Sequence, residues 1–135
     1  MGKVIYSKIN VIHQRKGDIY KILTNDSPDF DKFGEAYYSS INFNEIKGWK
    51  QHLKMKCILI PVSGDVDVVT YCAESNQFEK YNLNIKDPYR LIIPPKIIFA
   101  FTGNEASNCI LNIGNIQHEP EESLTFNIDE FKYNW

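Results

Sequence analysis

Hydrophobic residues in this chain are grouped into short runs rich in Ile, Val, Tyr and Phe, separated by turn residues at roughly 8- to 12-residue intervals. Each run has the length of a strand, and the helical spacing of apolar residues is nearly absent. The predicted strands cover residues 4–12, 18–23, 36–42, 57–62, 65–72, 78–83, 89–93, 97–101 and 108–113. Short strands at this spacing are typical of an all-β sandwich or barrel.

The turns between these runs indicate how the strands connect. Residues 63–65 (Ser-Gly-Asp) lie between two β-branched runs and predict a tight hairpin turn. Because proline has no amide hydrogen for a β-ladder, the pair Pro94 and Pro95 must lie at a strand end, where we expect it to carry the chain across the mouth of a barrel. Residues 127–131 predict a turn or two of helix, capped by Asn127.

Composition and charge narrow the class of protein. The chain has 135 residues, with 15 basic and 17 acidic side chains interspersed and a net charge of −2. This argues against the basic face of a nucleic-acid-binding protein, but a small-anion site remains open. No apolar stretch approaches the roughly 20 residues that cross a bilayer, and no signal peptide is evident, so we expect a cytoplasmic protein without membrane contacts.

We expect a single domain, with a short N-terminal strand region over residues 1–16, a barrel over about 17–118 and a tail over 119–135. The three cysteines are odd in number, far apart and in apolar surroundings, which indicates reduced core residues. The three histidines are scattered and no cysteine pair has zinc-ligand spacing, so we expect no bound metal.

The most informative segment contains a lysine and a histidine at alternate positions. Side chains on a strand point alternately to its two faces, so Lys50 and His52 share one face while Trp49 and Gln51 share the other. If the first face is the barrel interior, an ammonium and an imidazole lie together in a cavity. Charge repulsion and desolvation would then leave the imidazole neutral and able to accept a proton. The alternative is an exposed strand without a function.

Two further groups have both a functional and a structural interpretation. Tyr37 and Tyr38 face opposite sides, so one packs in the core while the other offers a phenol as proton donor; core packing is the usual role of any one of them. Residues 118–122 (His-Glu-Pro-Glu-Glu) place carboxylates beside an imidazole. Acid–base chemistry is conceivable there, but a solvated loop after the last strand is the better interpretation.

Several of these segments together resemble a known family. They are residues 33–39 (FGEAYYS), 46–55 (IKGWKQHLKM), 62–66 (VSGDV), 93–95 (IPP) and 112–120 (NIGNIQHEP) with the end of the chain. From about Gly17 onward the sequence resembles the dTDP-4-dehydrorhamnose 3,5-epimerase family, in particular its short, epimerase-related branch. The resemblance implies a cupin jelly roll, dimeric as a rule, which binds a nucleotide diphosphate sugar in the barrel mouth without metal or other cofactor.

The resemblance also shows where this chain departs from the epimerases. In those enzymes a histidine base follows an Arg-Gly pair and a tyrosine acid lies on a late strand. Here Lys47 and Gly48 replace the pair, Lys50 takes the base position, and the late-strand position is approximately Asn112, which cannot act as an acid. The related 3,4-ketoisomerases match better locally, since His52 then takes the second histidine position of their R-G-G-H-A-H pattern.

The resulting hypothesis is an epimerase or isomerase of a nucleotide-linked 4-keto-6-deoxy sugar for surface polysaccharides. The expected catalytic residues are His52 as base, Tyr38 or Tyr37 as acid, and Lys50 as a partner of the enolate or phosphate. The expected substrate-binding residues are Lys47 and Arg90 for the diphosphate, with Trp49, Met55 and Asn112. Two alternatives stay open: a degenerate cupin that binds a nucleotide sugar without turnover, and an assembly partner of a glycan enzyme.

Overall fold

The computed structural model describes residues 2–135, and strands form most of its regular structure. The strands are β1 (Ile5–Lys8), β2 (Asn10–Ile12), β3 (Ile19–Lys21), β4 (Glu35–Ser40), β5 (Ile46–His52), β6 (Cys57–Ser63), β7 (Asp65–Cys72), β8 (Gln77–Asn84), β9 (Tyr89–Ile93), β10 (Ile98–Gly103), β11 (Cys109–Gly114) and β12 (Ser123–Thr125). A single 3₁₀ turn, Pro120–Glu122, immediately precedes β12.

Two five-stranded antiparallel sheets make up the barrel. The first sheet has the order β1-β9-β6-β11-β4 and the second the order β12-β5-β10-β7-β8, while β2 and β3 pair separately. From β6 onward the chain crosses repeatedly between the sheets, because β6, β9 and β11 belong to the first and β7, β8 and β10 to the second. Alternate residues of each strand therefore point to an interior that both sheets share.

Three apolar clusters hold the layers together. The largest lies between the sheets and includes Leu59, Val68 and Phe99. A second lies on the outer face of the first sheet, where the segment that contains β2 and β3 covers Ile58 and Ile60. The third lies on the outer face of the second sheet, where aromatic and aliphatic side chains of residues 126–133 cover the ring of Trp49. Both ends of the chain thus stabilise the barrel from outside.

The all-β fold expected from the sequence is confirmed, and every predicted run contains a strand. The run over residues 4–12 is divided between β1, an edge of the first sheet, and β2. Strand β5 carries the alternating segment, and β12 extends the second sheet within the predicted tail. No helix described in residues 2–135 is long and apolar enough to span a bilayer.

Two local predictions are wrong. Residues 63–65 form a turn, but not a hairpin, because β6 and β7 lie in different sheets and pair with other strands. Gly64 has φ +73°, and a Cβ at this position would lie 2.3 Å from the Ser107 carbonyl oxygen, so the crossing between sheets requires glycine here. Residues 127–131 form a turn in which the Asn127 carbonyl accepts from the Glu130 amide at 3.0 Å, not a helix.

Candidate active site

A cavity of about 230 Å³ opens between the inner faces of the two sheets, where β4 forms the edge of the first sheet and β5 and β12 form that of the second. It brings together several side chains singled out in the sequence. The lining residues are Tyr37, Ser39, Lys47, Gly48, Trp49, Lys50, His52, Phe99, Phe101, Ile110, Asn112 and Thr125. The polar side chains thus line the cavity together with the apolar side chains of Phe99, Phe101 and Ile110.

A β-bulge in β5 directs both lysines into this cavity. Lys50 lies opposite Phe99 of β10 and Lys47 opposite Phe101, whereas Gly48 pairs with Ala100 and the residue between is extra. Residues directly opposite on paired strands point to the same face of the sheet, so Lys47 and Lys50 both point inward. Without the bulge, strict alternation would place Lys47 on the outer face. The ring of Trp49 consequently lies outside the barrel interior, fully buried among aromatic side chains of the tail.

His52 is the imidazole of the site, and its ring orientation is fixed by a carboxylate. The side chain is 4% exposed, and its Nδ1 is hydrogen-bonded to Oε1 of Glu122, which is itself completely buried. The other carboxylate oxygen, Oε2, accepts from the backbone amides of Lys54 and Met55 at 3.3 and 3.2 Å. Glu122 reaches this position because Ser123, the first residue of β12, pairs with His52.

The contacts of Glu122 also keep it ionised. Burial raises the pKa of its carboxyl, but the hydrogen bonds from His52 and from the backbone amides outweigh burial and hold the pKa below its usual value. A carboxylate accepts hydrogen bonds only, so the proton of the shared bond belongs to Nδ1 of the imidazole. The lone pair of a neutral His52 ring is therefore on Nε2, the nitrogen that Glu122 does not occupy.

Tyr37 and Asn112 form the opposite wall. They lie directly opposite each other on β4 and β11, and Nδ2 of Asn112 donates to the Tyr37 hydroxyl oxygen at 2.9 Å. Burial, assisted by the nearby Cys57 and two carboxyl groups, raises the pKa of Tyr37 to about 12. Burial likewise raises the pKa of the Cys57 thiol to about 12, so this cysteine stays a thiol.

The two lysines differ in their contacts. Nζ of Lys47 donates to Ser39 Oγ and to the carbonyl of Ser40, each at 3.0 Å, and so links β5 to β4 across the cavity opening. Nζ of Lys50 makes no hydrogen bond or ion pair with any residue from 2 to 135. The half-buried Lys50 ammonium therefore has its hydrogen-bonding capacity available to a bound molecule.

The structure places three of the expected site residues away from the cavity. Tyr38 lies on the outer face of β4 and is 71% exposed, because it alternates with Tyr37. Arg90 lies on the outer side of β9 and forms an ion pair with Asp29 at 3.0 Å. Met55 is a core residue, 1% exposed, whose contribution to the site is its backbone amide.

Glu122 is a residue of the candidate site that the sequence did not reveal. It stood in the run of carboxylates interpreted as a solvated loop, yet it is 1% exposed, whereas Glu119 and Glu121 are exposed. The available signal was the apolar pattern that follows it, because alternating apolar residues indicate a further strand. That strand is β12, and it fixes Glu122 beside His52.

A metal site requires several ligand side chains close together. Within residues 2–135, no three His, Cys, Asp or Glu side chains are grouped closely enough to hold an ion. His52 has one carboxylate neighbour, whose second oxygen is occupied by backbone amides. The absence of a metal stays a prediction from the sequence.

No protein-family model and no curated protein sequence matches this chain. Solved structures do: a dTDP sugar isomerase from Desulfovibrio desulfuricans G20 superimposes with a TM-score of 0.90 and 26% identity, over 98% of this chain and 90% of that one. This chain has the cupin jelly-roll fold of dTDP-sugar isomerases and epimerases, as expected from the sequence. The resemblance inferred from residue motifs is thereby confirmed.

Two more distant structures show the same cupin fold. A dTDP-6-deoxy-D-glucose-3,5-epimerase from Legionella pneumophila, solved with dTDP-4-keto-L-rhamnose, has a TM-score of 0.83 at 12% identity, over 94% of this chain and 74% of that one. A sugar 3,4-ketoisomerase from Thermoanaerobacterium thermosaccharolyticum, solved with TDP, has a TM-score of 0.79 at 19% identity, over 95% and 90%. The epimerases and the ketoisomerase thus share one barrel with this cupin.

Proposed function

We propose that this cupin is a metal-independent epimerase or isomerase that removes a proton beside the keto group of a nucleotide-linked 4-keto-6-deoxy sugar. The observation that carries the proposal is the buried His52–Glu122 pair at the wall of a cavity. An oriented imidazole in a pocket is the arrangement of a general base. The solved neighbours, described as dTDP-sugar isomerases and epimerases, support the same reaction class.

His52 acts as the base in this proposal. Its Nε2 takes the proton from C3, which the adjacent C4 carbonyl acidifies, and the electron pair of the C–H bond moves toward the carbonyl oxygen. The imidazolium that forms is stabilised by the ionised Glu122, whose pKa is held low by the same contacts. Glu122 thus orients the ring before the reaction and balances its charge during it.

The opposite wall supplies the group that stabilises the oxygen. Tyr37 presents a hydroxyl that can donate to the developing enolate, and the unpaired Lys50 ammonium adds positive charge to the same cavity. If solvent protonates C3 from the face opposite His52, that carbon is inverted and His52 passes its proton to solvent. If instead His52 delivers a proton to C4 while the C3 hydroxyl proton passes to the C4 oxygen, the keto group moves to C3. Tyr37 is the only phenol that lines the described cavity, so we expect chemistry at C3 without a second inversion at C5.

The size of the cavity indicates how the substrate lies. Its 230 Å³ is smaller than the roughly 300–1,000 Å³ of pockets that hold a whole drug-sized ligand, so the sugar ring enters and the nucleotide stays outside. Lys47 and His52 stand at opposite ends of β5. The ring therefore lies near His52 while the diphosphate meets Lys47 at the opening. A use in polysaccharide or lipopolysaccharide synthesis stays a prediction.

Proton NMR of dTDP-4-keto-6-deoxyglucose with this protein in deuterium oxide tests the proposal. We expect deuterium at C3, and not at C5, if the enzyme inverts C3, and deuterium at C4 of a 3-keto product if it moves the keto group. His52→Asn keeps a hydrogen-bonding side chain but has no comparable base, so it should abolish the exchange. Exchange that persists in His52→Asn removes this residue from the mechanism, and no label with the wild-type protein overturns the catalytic proposal.

The second candidate function is a nucleotide-sugar-binding module without turnover. Lys50 and Asn112 favour it, since they stand where the resemblance expects a base and an acid. It predicts that dTDP and dTDP-sugars raise the melting temperature while deuterium exchange stays at the background rate. An assembly partner of a glycan enzyme, in contrast, predicts no such stabilisation.

We also propose that the protein is a homodimer, as the resemblance implies. Large apolar side chains stay exposed outside the barrel, among them Tyr38 and Val62 on the first sheet and Ile19 and Tyr20 on β3. Strands β4 and β6, which carry Tyr38 and Val62, lie on either side of β11 in the first sheet, and exposed apolar patches are typical of interfaces. Sedimentation analysis should give twice the monomer mass of 15.7 kDa, and Val62→Lys should shift the equilibrium toward monomer. A wild-type monomer at high concentration contradicts the proposal.

A further inference from the structure

Asn112 and Tyr37 are joined more specifically than two residues that merely line the same cavity. They are direct partners in the register of β11 and β4, and both side chains point inward. Asn112 is 4% exposed, so its amide cannot exchange partners with bulk water as a surface residue does. The 2.9 Å bond from its Nδ2 to the Tyr37 hydroxyl is therefore a fixed feature of the wall.

The direction of this hydrogen bond determines where the phenol proton points. Because Asn112 donates, the oxygen of Tyr37 accepts, and the O–H of Tyr37 stays free to donate to another group. A residue that accepted from Tyr37 would instead turn this proton into the wall and away from the cavity. The amide thus keeps the hydroxyl in the donating state that an enolate oxygen requires.

This arrangement has a cost for folding. The carbonyl oxygen Oδ1 of Asn112 is buried and has no hydrogen-bond donor among residues 2–135. Burying a polar atom without a partner destabilises a fold, and such atoms are rare in native interiors. A residue retained for packing alone would not carry this defect, since an apolar side chain of similar size fills the same space.

We propose that Asn112 is a positioning residue that holds the Tyr37 hydroxyl as a hydrogen-bond donor toward the substrate oxygen. The inference rests on the proposed function, in which Tyr37 stabilises the enolate. It assigns Asn112 a role different from the substrate contact predicted from the sequence. The resemblance places a tyrosine acid on the late strand, where this chain has Asn112. In the proposal, Tyr37 of β4 supplies the hydroxyl instead, and Asn112 orients it.

Asn112 also affects the acidity of the Tyr37 hydroxyl. Burial and the nearby Cys57, Glu35 and Glu122 raise the pKa of this phenol, and the hydrogen bond from Asn112 is the contact that lowers it. Without the amide, Tyr37 becomes both a weaker acid and a less well-oriented one. The effect belongs to the transition state, because charge on the oxygen develops only there.

The test compares Asn112→Leu and Asn112→Asp in the wild-type and Tyr37→Phe backgrounds, using turnover of dTDP-4-keto-6-deoxyglucose and thermal unfolding. In the wild-type background Asn112→Leu should lower kcat about 10- to 100-fold with little change in KM, as is typical for orienting partners of catalytic groups. Its melting temperature should stay equal or rise, since an unpaired buried oxygen is removed. Asn112→Asp has the same shape but accepts from Tyr37, and it should lower kcat at least as much.

The Tyr37→Phe background separates positioning from a purely structural effect. If Asn112 acts through the hydroxyl, Asn112→Leu should cause no further loss of kcat once that hydroxyl is absent. Additive losses, an unchanged kcat in Asn112→Leu, or a lower melting temperature with raised KM each overturn the inference. These outcomes leave the proposed function intact, whereas a wild-type protein without turnover or C3 exchange overturns both.

Discussion

Glu122 accepts a hydrogen bond from His52 although 70 residues separate the two along the chain. The contact exists because β12 pairs with β5, which places the residue before Ser123 against the imidazole. Both partners are buried, so bulk water does not compete for the hydrogen bond between them. In the proposed mechanism this contact fixes the tautomer of the base before any substrate binds.

Replacing Glu122 with Gln should lower kcat by about 10²- to 10⁴-fold while KM changes little, because an amide neither fixes the Nδ1 proton nor balances an imidazolium. Steady-state kinetics on the 4-keto sugar nucleotide measures this. Glu121→Gln is the matched control. The Glu121 carboxylate is exposed, so this substitution should leave kcat unchanged. Equal effects of the two substitutions would contradict the role of Glu122.

The low pKa of Glu122 predicts a pH dependence of stability. A carboxyl whose folded pKa lies below its unfolded value of about 4.5 stabilises the fold at higher pH, and this contribution is lost as the pH falls through the folded pKa. The free energy of unfolding of Glu122→Gln should therefore be lower than that of the wild type at pH 7. Urea titrations at pH 7 and near pH 3 should show the difference shrinking in acid. A constant difference would indicate that ionisation of Glu122 does not contribute.

Gly48→Ala should destabilise the protein by about 2–4 kcal/mol, because it adds a Cβ to a crowded bulge with a positive φ. The new Cβ would lie 2.4 Å from Cβ of Ala100, and φ at Gly48 is +150°. Gly17→Ala is the matched control: φ there is +139°, but nothing lies within 4 Å of its added Cβ. Urea unfolding should show the larger loss for Gly48→Ala, and equal losses would mean that the close approach to β10 costs nothing.

The sequence predicts that Arg90 and Lys47 both bind the diphosphate, but in the structure Lys47 lines the cavity and Arg90 pairs with Asp29 on the outer face. Arg90→Ala should lower the free energy of unfolding by about 3–5 kcal/mol, since it leaves the nearly buried Asp29 unpaired, without changing the Kd for dTDP. Lys47→Ala should weaken dTDP binding with a smaller effect on stability. Calorimetric titration of both variants with dTDP measures the two Kd values. Weaker dTDP binding by Arg90→Ala, with unchanged binding by Lys47→Ala, would show that Arg90 and not Lys47 contacts the diphosphate.

The sequence predicts this fold and part of the polar lining of the cavity, because both depend on local alternation. Lys50 and His52 share the inner face as the period of a strand requires, and Trp49 points away from it. The tight turn at residues 63–65 was also visible, but its connection was not. Whether two successive strands pair or separate into different sheets is decided by packing across the barrel, which no local pattern records.

The remaining errors have the same origin. Glu122 looks like its exposed neighbours until β12 pairs with β5, and its burial is a property of that tertiary contact. Arg90 was expected at the site because a cation suits phosphate, but its partner Asp29 comes from a loop on the outer face. Gly48 is the sequence feature that indicates the bulge, since glycine inside a strand pattern often marks such an irregularity.

The repeated crossing of the chain between the two sheets has a consequence for folding kinetics. Apart from β7 and β8, neighbours in the two five-stranded sheets are not consecutive strands, so large loops must close before the barrel gains stabilising contacts. Folding therefore belongs to the slower range of milliseconds to seconds. Tyr37, His52, Asn112 and Glu122 come from four separate strands or turns. No early fragment assembles them, so nucleotide-sugar affinity should be acquired only in the last, cooperative step to the native state.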